Sequence, residues 1–284
     1  MAIPARIPFA QNGTSTLLPK HEMTWNQYLD SPNKRFRLIL QADSNLVLYD
    51  GQTAIWSAQA NQPYTQYGDR VYENTPTSFY LLYYAVFKDR EHSRTWSTFN
   101  STPPNRDETA AAERTYLRVQ NDGNIVITDS TAVWSSNPAI PQAPGAEESI
   151  IFPPGTILEM GRKYVVGGTT FIFQTDGNMV ISNGPLGVLW ASWTQNKGAE
   201  MAVMQDDGNL VIYGPNFTPL WNSGTAGQPG AFLRVQANGN LSIVKEKPVW
   251  ARFGYTPTLV PKNVFYPDHT TGPLPTFKDF IWTF

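Results

Sequence analysis

The stretch MAVMQDDGNLVIYG, residues 201–214, sets Gln205, Asp207, Asn209, Val211 and Tyr213 at alternate positions around an Asp-Gly-Asn turn. Alternating polar and apolar residues about such a turn are the pattern of a β-hairpin with one face turned inward. The phrase, Q-x-D-x-N-x-V-x-Y, returns along the chain, and a repeat of this kind organises a whole fold rather than one loop. LILQADSNLVLYD, residues 38–50, carries it in full as Gln41, Asp43, Asn45, Val47 and Tyr49. LRVQNDGNIVITD, residues 117–129, keeps Gln120, Asp122, Asn124 and Val126 but ends on Thr128. FIFQTDGNMVISN, residues 171–183, keeps Gln174, Asp176, Asn178 and Val180 and ends on Ser182. LRVQANGNLSIVK, residues 233–245, retains Gln236 and Asn240 but has Asn238, Ser242 and Val244 elsewhere.

A tryptophan follows every copy, 14 to 16 residues after its Gln: Trp56, Trp134, Trp190, Trp221 and Trp250. Trp96 has no phrase before it. FYLLYYAVFKD, residues 79–89, stands at the right distance and reads as a sixth repeat stripped of its polar positions, which makes two sets of three. Within the first copy Leu38, Leu40, Leu46 and Leu48 share one parity and should pack inward, while Gln41, Asp43, Asn45, Val47 and Tyr49 share the other and should face outward. One tryptophan per repeat at a near-fixed spacing is what a shared central core requires, so these indoles are read as core and not as ligand platforms. Trp193 and Trp282 lie outside the series.

The sets are divided near NPAIPQAPGAEES, residues 137–149, where closely spaced prolines interrupt any strand. The expected domains are therefore residues 1–140 and 141–255, with an aromatic, proline-rich extension over 256–284. At 284 residues each half is long enough to bury its own core. With no cysteine the fold must hold by packing alone, and thiolate chemistry and Cys-type zinc sites are excluded. A net charge of −2 leaves no basic excess to neutralise phosphates, so nucleic acid is not an expected partner. The opening MAIPARIPFA carries Pro4 and Pro8 where a secretory signal needs an unbroken apolar run, so release without a cleavable signal peptide is expected.

The phrase with its trailing tryptophan resembles the monocot mannose-binding lectins over about residues 30–255. That resemblance implies an all-β architecture of two tandem three-sided β-prism domains, each built from three four-stranded sheets, with tryptophans gathered along a pseudo-threefold axis. The tandem arrangement, the opening segment, the segment KPVWARFG at residues 247–254 and the aromatic tail are further similar to the lectin-like bacteriocins of Pseudomonas and related bacteria, the group of the L-type pyocins and putidacins. This implies a monomer that meets D-mannose- or D-rhamnose-containing polysaccharide, such as the lipopolysaccharide O-antigen of related Gram-negative cells. It implies killing at the outer surface through an outer-membrane protein of the β-barrel assembly machinery. A non-toxic mannose-binding agglutinin remains the alternative reading.

A pyranose offers hydroxyls that donate and accept, so a site for it needs a carboxylate, amides and an apolar patch for the ring carbons. By resemblance, Asp207 and Asn209 take the axial 2-hydroxyl, Gln205 the 3-hydroxyl and Tyr213 the 4-hydroxyl, with Val211 against the ring. Gln41, Asp43, Asn45, Val47 and Tyr49 form the other full set. Gln174, Asp176, Asn178 and Val180, and Gln120, Asp122, Asn124 and Val126, make weaker pockets for want of the phenol. The copy at Gln236 is read as structural. One open pocket of this sort binds in the millimolar to high-micromolar range, and several on a repeating polymer supply avidity.

Catalysis finds no candidate. A glycosidase needs two differently tuned carboxylates around one bond, and a repeated phrase with a single Asp suits binding. His21, His92 and His269 stand in unlike contexts with no metal-ligand spacing, and no G-x-S-x-G, phosphate loop or H-E-x-x-H is present. No metal or cofactor is expected.

Overall fold

The computed structural model describes residues 6–58, 66–67, 70–71, 77–82, 85–88 and 108–253. Strand dominates, with one seven-residue helix at Glu108–Arg114 and two 3-10 turns. Trp96, the loop over residues 91–107 and the tail over 254–284 lie outside the described residues. Two compact units form: residues 6–129 with 247–253, and residues 130–246.

Each copy of the phrase makes the hairpin at the centre of a sheet. In the first unit Phe36–Leu40 pairs antiparallel with Leu46–Asp50, flanked by Tyr28–Asp30 and Thr53–Ser57, in chain order. Leu38, Leu40, Leu46 and Leu48 are all buried against the core. Their opposite-parity neighbours Gln41, Asp43, Asn45 and Tyr49 keep contact with solvent, and Val47 alone of that set is buried, in register with Ile39 and Ser57. A second sheet sets Ser78–Leu81 between His21–Thr24 and Ala85–Lys88, with Ile7–Pro8 at its edge. Ser78–Leu81 and Ala85–Lys88 thus pair antiparallel as the hairpins of the phrase do, with Phe79 and Leu81 in the core. The third sheet joins Thr16–Leu17, Thr115–Val119 and residues 125–129 and 247–251.

The second unit repeats the plan. Lys163–Val166, Thr169–Phe173, Met179–Asn183 and Gly187–Ala191 carry the third copy, and Thr156–Leu158, Met201–Met204, Leu210–Tyr213 and Pro219–Asn222 carry the fourth. Its remaining sheet takes Ser149–Phe152, Phe232–Gln236 and residues 241–246 and 130–135. Three four-stranded sheets around one apolar core make a three-sided β-prism, twice over, as the repeat count implied.

The units part at 129/130 and 246/247 rather than at 140/141, while the expected boundary at 255/256 lies outside the described residues. The reason is that two eleven-residue strands, Ile125–Ser135 and Leu241–Ala251, each begin in one unit and end in the other. Trp134 therefore leaves the set that sequence order gives it and packs with Trp190 and Trp221. The three ring centroids lie 5.3–5.8 Å apart, edge to face, the geometry the aromatic quadrupole favours. Trp250, 3% exposed, joins the core of the first unit beside Trp56.

Replacing Trp134 by Ala removes one ring of this triad and should cost about 3–5 kcal/mol. Amide exchange should then accelerate at Leu189–Ala191 and Leu220–Asn222 while Leu46–Tyr49 stays protected; loss of protection in the first unit instead would contradict the exchange of tryptophans.

Candidate functional site

In the fourth copy the turn is built by its own backbone. Gly208 N–H donates to Gln205 O at 3.0 Å and Gln205 N–H to Asn209 O at 2.8 Å. Asp207 Oδ1 accepts the Asn209 N–H at 2.9 Å, which spends one carboxylate oxygen on the turn and leaves the other without a partner among the described residues. Gly208 has φ +89°, and a Cβ there would strike the Gln228 carbonyl, so both the conformation and the space require glycine. The first copy takes the same left-handed position with Ser44, φ 72°, whose Oγ accepts from Trp25 Nε1 at 3.2 Å.

Asn209 is fixed next. Its Oδ1 accepts from Ser223 Oγ at 2.9 Å and from the Thr225 N–H at 3.2 Å. Because the Thr225 amide can only donate, the facing atom must be the oxygen, and Nδ2 is the end left without a partner among the described residues. Ser223 Oγ also accepts the Leu210 N–H at 3.0 Å, and Thr225 Oγ1 donates to Gly208 O at 2.6 Å. At the other end Gln205 Nε2 donates to the Tyr213 hydroxyl at 2.9 Å. Val211 lies between them along the strand, 3% exposed. The copy thus presents a free carboxylate oxygen, a free amide N–H₂, a braced amide–phenol pair and an apolar floor.

The first copy repeats the brace, with Gln41 Nε2 on the Tyr49 hydroxyl at 2.8 Å and Asp43 Oδ1 on the Asn45 N–H at 3.0 Å. Its Asn45 Nδ2 donates to Ser57 Oγ at 2.7 Å. In the third copy Asn178 Oδ1 accepts from Ser192 Oγ at 3.1 Å and the Thr194 N–H at 3.3 Å, and Asp176 Oδ1 caps the Asn178 N–H at 2.9 Å. Only the brace is lost: Ser182 cannot reach where the phenol stood, and Gln174 makes no side-chain bond.

The second and fifth copies are different. Asn124 is held at both ends by the backbone of Phe253, Nδ2 donating at 2.7 Å and Oδ1 accepting at 3.0 Å. Beside it Arg252 reaches Gly123 O, and burial pushes its guanidinium below its usual range against the opposing pull of Asp122. In the fifth copy the proline-rich segment itself occupies the polar face. Gln236 accepts from the Ala143 N–H at 3.0 Å and donates to Ala143 O at 2.7 Å, Asn238 Nδ2 donates to Pro141 O at 2.9 Å, and Asn240 Nδ2 donates to Ile140 O at 2.7 Å. The sequence put the second and third copies in one grade; their asparagines set the third beside the fourth and the second beside the fifth.

Sequence reasoning missed Ser192 with Thr194 and Ser223 with Thr225. Their signal was present as W-x-S-x-T after Trp190 and Trp221. It also left Trp193 unplaced: at φ 59° and 68% exposed, it stands where the fourth copy has Gly224.

No family model and no curated protein matches the chain. Solved structures do. A native fetuin-binding two-domain lectin from Scilla campanulata matches with a TM-score of 0.50 at 19% identity, covering 84% of this chain and all of that one. Mannose-specific agglutinin from snowdrop, Galanthus nivalis, solved with methyl-α-D-mannoside, matches at 32% identity over 37% of this chain and 97% of its own, with a TM-score of 0.32. A monomeric monocot mannose-binding lectin from Gastrodia elata matches at 34% identity over 36% and 92%, with a TM-score of 0.30. The fold is the tandem β-prism of two-domain lectins.

Ser223→Ala strips the Leu210 N–H of this acceptor and frees Asn209 to turn. It should cost about 1–3 kcal/mol, read as a lower melting temperature, and Ser192→Ala should do the same in the third copy. Unchanged melting in both would show that the serines do not hold the turns.

Proposed function

We propose that this chain is a carbohydrate-binding protein whose principal pocket, at Gln205–Tyr213, takes a pyranose of mannose configuration, with the other complete set, Gln41–Tyr49, as a second pocket in which Asn45 Nδ2 already donates to Ser57. The observation that carries the reading is the fourth copy: one oxygen of Asp207 and the Nδ2 of Asn209 have no partner among the described residues, beside a braced Gln205–Tyr213 pair and a buried Val211. An unpaired acceptor and donor side by side match one hydroxyl that both donates and accepts, and the valine matches ring carbons. Nothing in this set reads position 6, so D-rhamnose fits as D-mannose does. The third pocket, lacking its phenol, is the weaker companion, while Asn124 and Asn240 serve the fold.

We further infer that the protein is a lectin-like bacteriocin, released to the extracellular space and acting at the outer surface of related Gram-negative bacteria. Its pockets would gather it on mannose- or rhamnose-containing lipopolysaccharide, and an outer-membrane protein would carry the lethal step, with no enzymatic chemistry. What supports this finer reading is the sequence resemblance in the tandem repeats, the KPVWARFG segment and the aromatic tail. The agglutinin reading shares the same pockets without the killing.

Asp207→Asn with Asp43→Asn keeps an oxygen for each turn and replaces the second carboxylate oxygen of each by an amide. Since a hydrogen bond to a charged group is worth about 1.5–3 kcal/mol, calorimetry with methyl α-D-mannoside should show binding of the unaltered chain and at most a residual signal in the double variant; equal binding in both would contradict the assignment. Spotted on lawns of related bacteria, the chain should clear strains with the polymer and the double variant should clear them less. Sugar binding with no clearing on any strain would leave the agglutinin.

A further inference from the structure

We propose that Phe217 is a second-sugar subsite of the fourth pocket, a flat apolar ledge for the pyranose next to the one that Gln205–Tyr213 holds. The inference rests on that pocket being a sugar site. Phe217 lies on the loop just beyond Tyr213, and its ring centroid is 6.2 Å from that of Tyr213 with the planes at 77°. Tyr213 is in turn fixed by Gln205. The two rings make a corner, one wall belonging to the pocket and the other standing outside it.

Three features set Phe217 apart from a stray surface aromatic. It is 74% exposed, the most exposed large hydrophobic of the described residues, so the core gains nothing from it. It is held in the left-handed region, φ 57°, directly after Asn216 at φ 54°, and two successive non-glycine residues in that conformation are costly unless their surroundings or their use demand it. The loop is also rigidly closed: Gly214 N–H donates to Thr218 O at 2.8 Å and Thr218 N–H to Pro215 O at 3.2 Å, and Gly214 sits within 3.1–3.2 Å, measured from an added Cβ, of Gly198 O and Leu220. A ring presented on a closed loop loses little freedom when it is covered.

The occupant follows from size and position. A single phenyl ring offers far less than the roughly 800 Å² per partner of a stable protein interface, whereas one aromatic face matches one pyranose, whose axial C–H groups lie against aromatic faces. The corresponding position in the third copy, counting back from Trp190 as from Trp221, is Leu186, also exposed at 68%. There the side chain is aliphatic and the phenol beside it is replaced by Ser182. Of these two copies, the ledge is aromatic in the one that keeps its phenol; the first copy, whose loop is one residue shorter, has Gln52 at this count.

Calorimetry on the full chain tests this with methyl α-D-mannoside and with a linear α-linked mannobioside, comparing the unaltered protein, Phe217→Ala and Phe217→Trp. The disaccharide should bind the unaltered chain roughly three- to ten-fold more tightly than the monosaccharide, beyond the statistical factor of two. Phe217→Ala should erase most of that preference, leave monosaccharide affinity and melting temperature unchanged, and Phe217→Trp should keep the preference. A disaccharide preference that survives Phe217→Ala, or no preference in the unaltered chain, overturns the subsite while monosaccharide binding still upholds the pocket. Absence of binding by either sugar removes the pocket and the subsite with it.

Discussion

The asparagine amide at the centre of the repeated phrase is the contact on which both the fold and the site depend. A hairpin turn of five residues satisfies its own backbone, and further bonds are needed to tie it to the segment beyond the next strand. Asn209 and Asn178 supply that link by accepting a backbone N–H, from Thr225 and from Thr194, two strands along. Asn124 does the same with Phe253. The half-buried amide accepts where water cannot easily compete, so losing the contact would leave a backbone donor unpaired. What the other end of each amide does then decides the fate of the copy. Where Nδ2 is taken by Phe253 or Ile140 the amide is spent on the chain; in the third and fourth copies, where no described residue takes it, the protein keeps a donor for something else.

The exchange of strands explains why two of the copies are the ones spent. Ile125–Ser135 and Leu241–Ala251 follow the second and fifth copies, and each passes from one unit to the other. The tryptophan that closes each core is thereby delivered from a distant point in the chain, Trp134 to Trp190 and Trp221, and Trp250 to Trp56. The segment over residues 137–146 that follows the first crossing is laid on the fifth copy, whose Gln236, Asn238 and Asn240 bind its carbonyls as they would bind hydroxyls. A polar face evolved to hold small oxygens serves equally to hold backbone.

Most of the architecture was legible because it is written in local periodicity. The parity of Leu38, Leu40, Leu46 and Leu48 gives the inner face, and the D-G-N and D-S-N turns give the hairpins. The unit boundaries were not legible, because the prolines at 138, 141 and 144 mark where strands stop, and which core a strand enters is a long-range choice that no local pattern records. The site was half legible. The phrase names its five side chains, yet the difference between Asn124 and Asn178 lies in partners 129 and 14–16 residues away in sequence, and Phe217 carries no mark except its place after Tyr213.

The central claim is that the fourth pocket, with its unspent asparagine amide beside a braced phenol, receives sugar. A crystal structure of the chain grown with methyl α-D-mannoside measures this directly. The account predicts the sugar against Asp207, Asn209 and Val211, and more weakly against Asp176 and Asn178, with the segment over residues 140–143 still seated on Gln236 and Phe253 still on Asn124. Sugar at Asn124 or Asn240, or the fourth pocket empty while another surface is occupied, would contradict it.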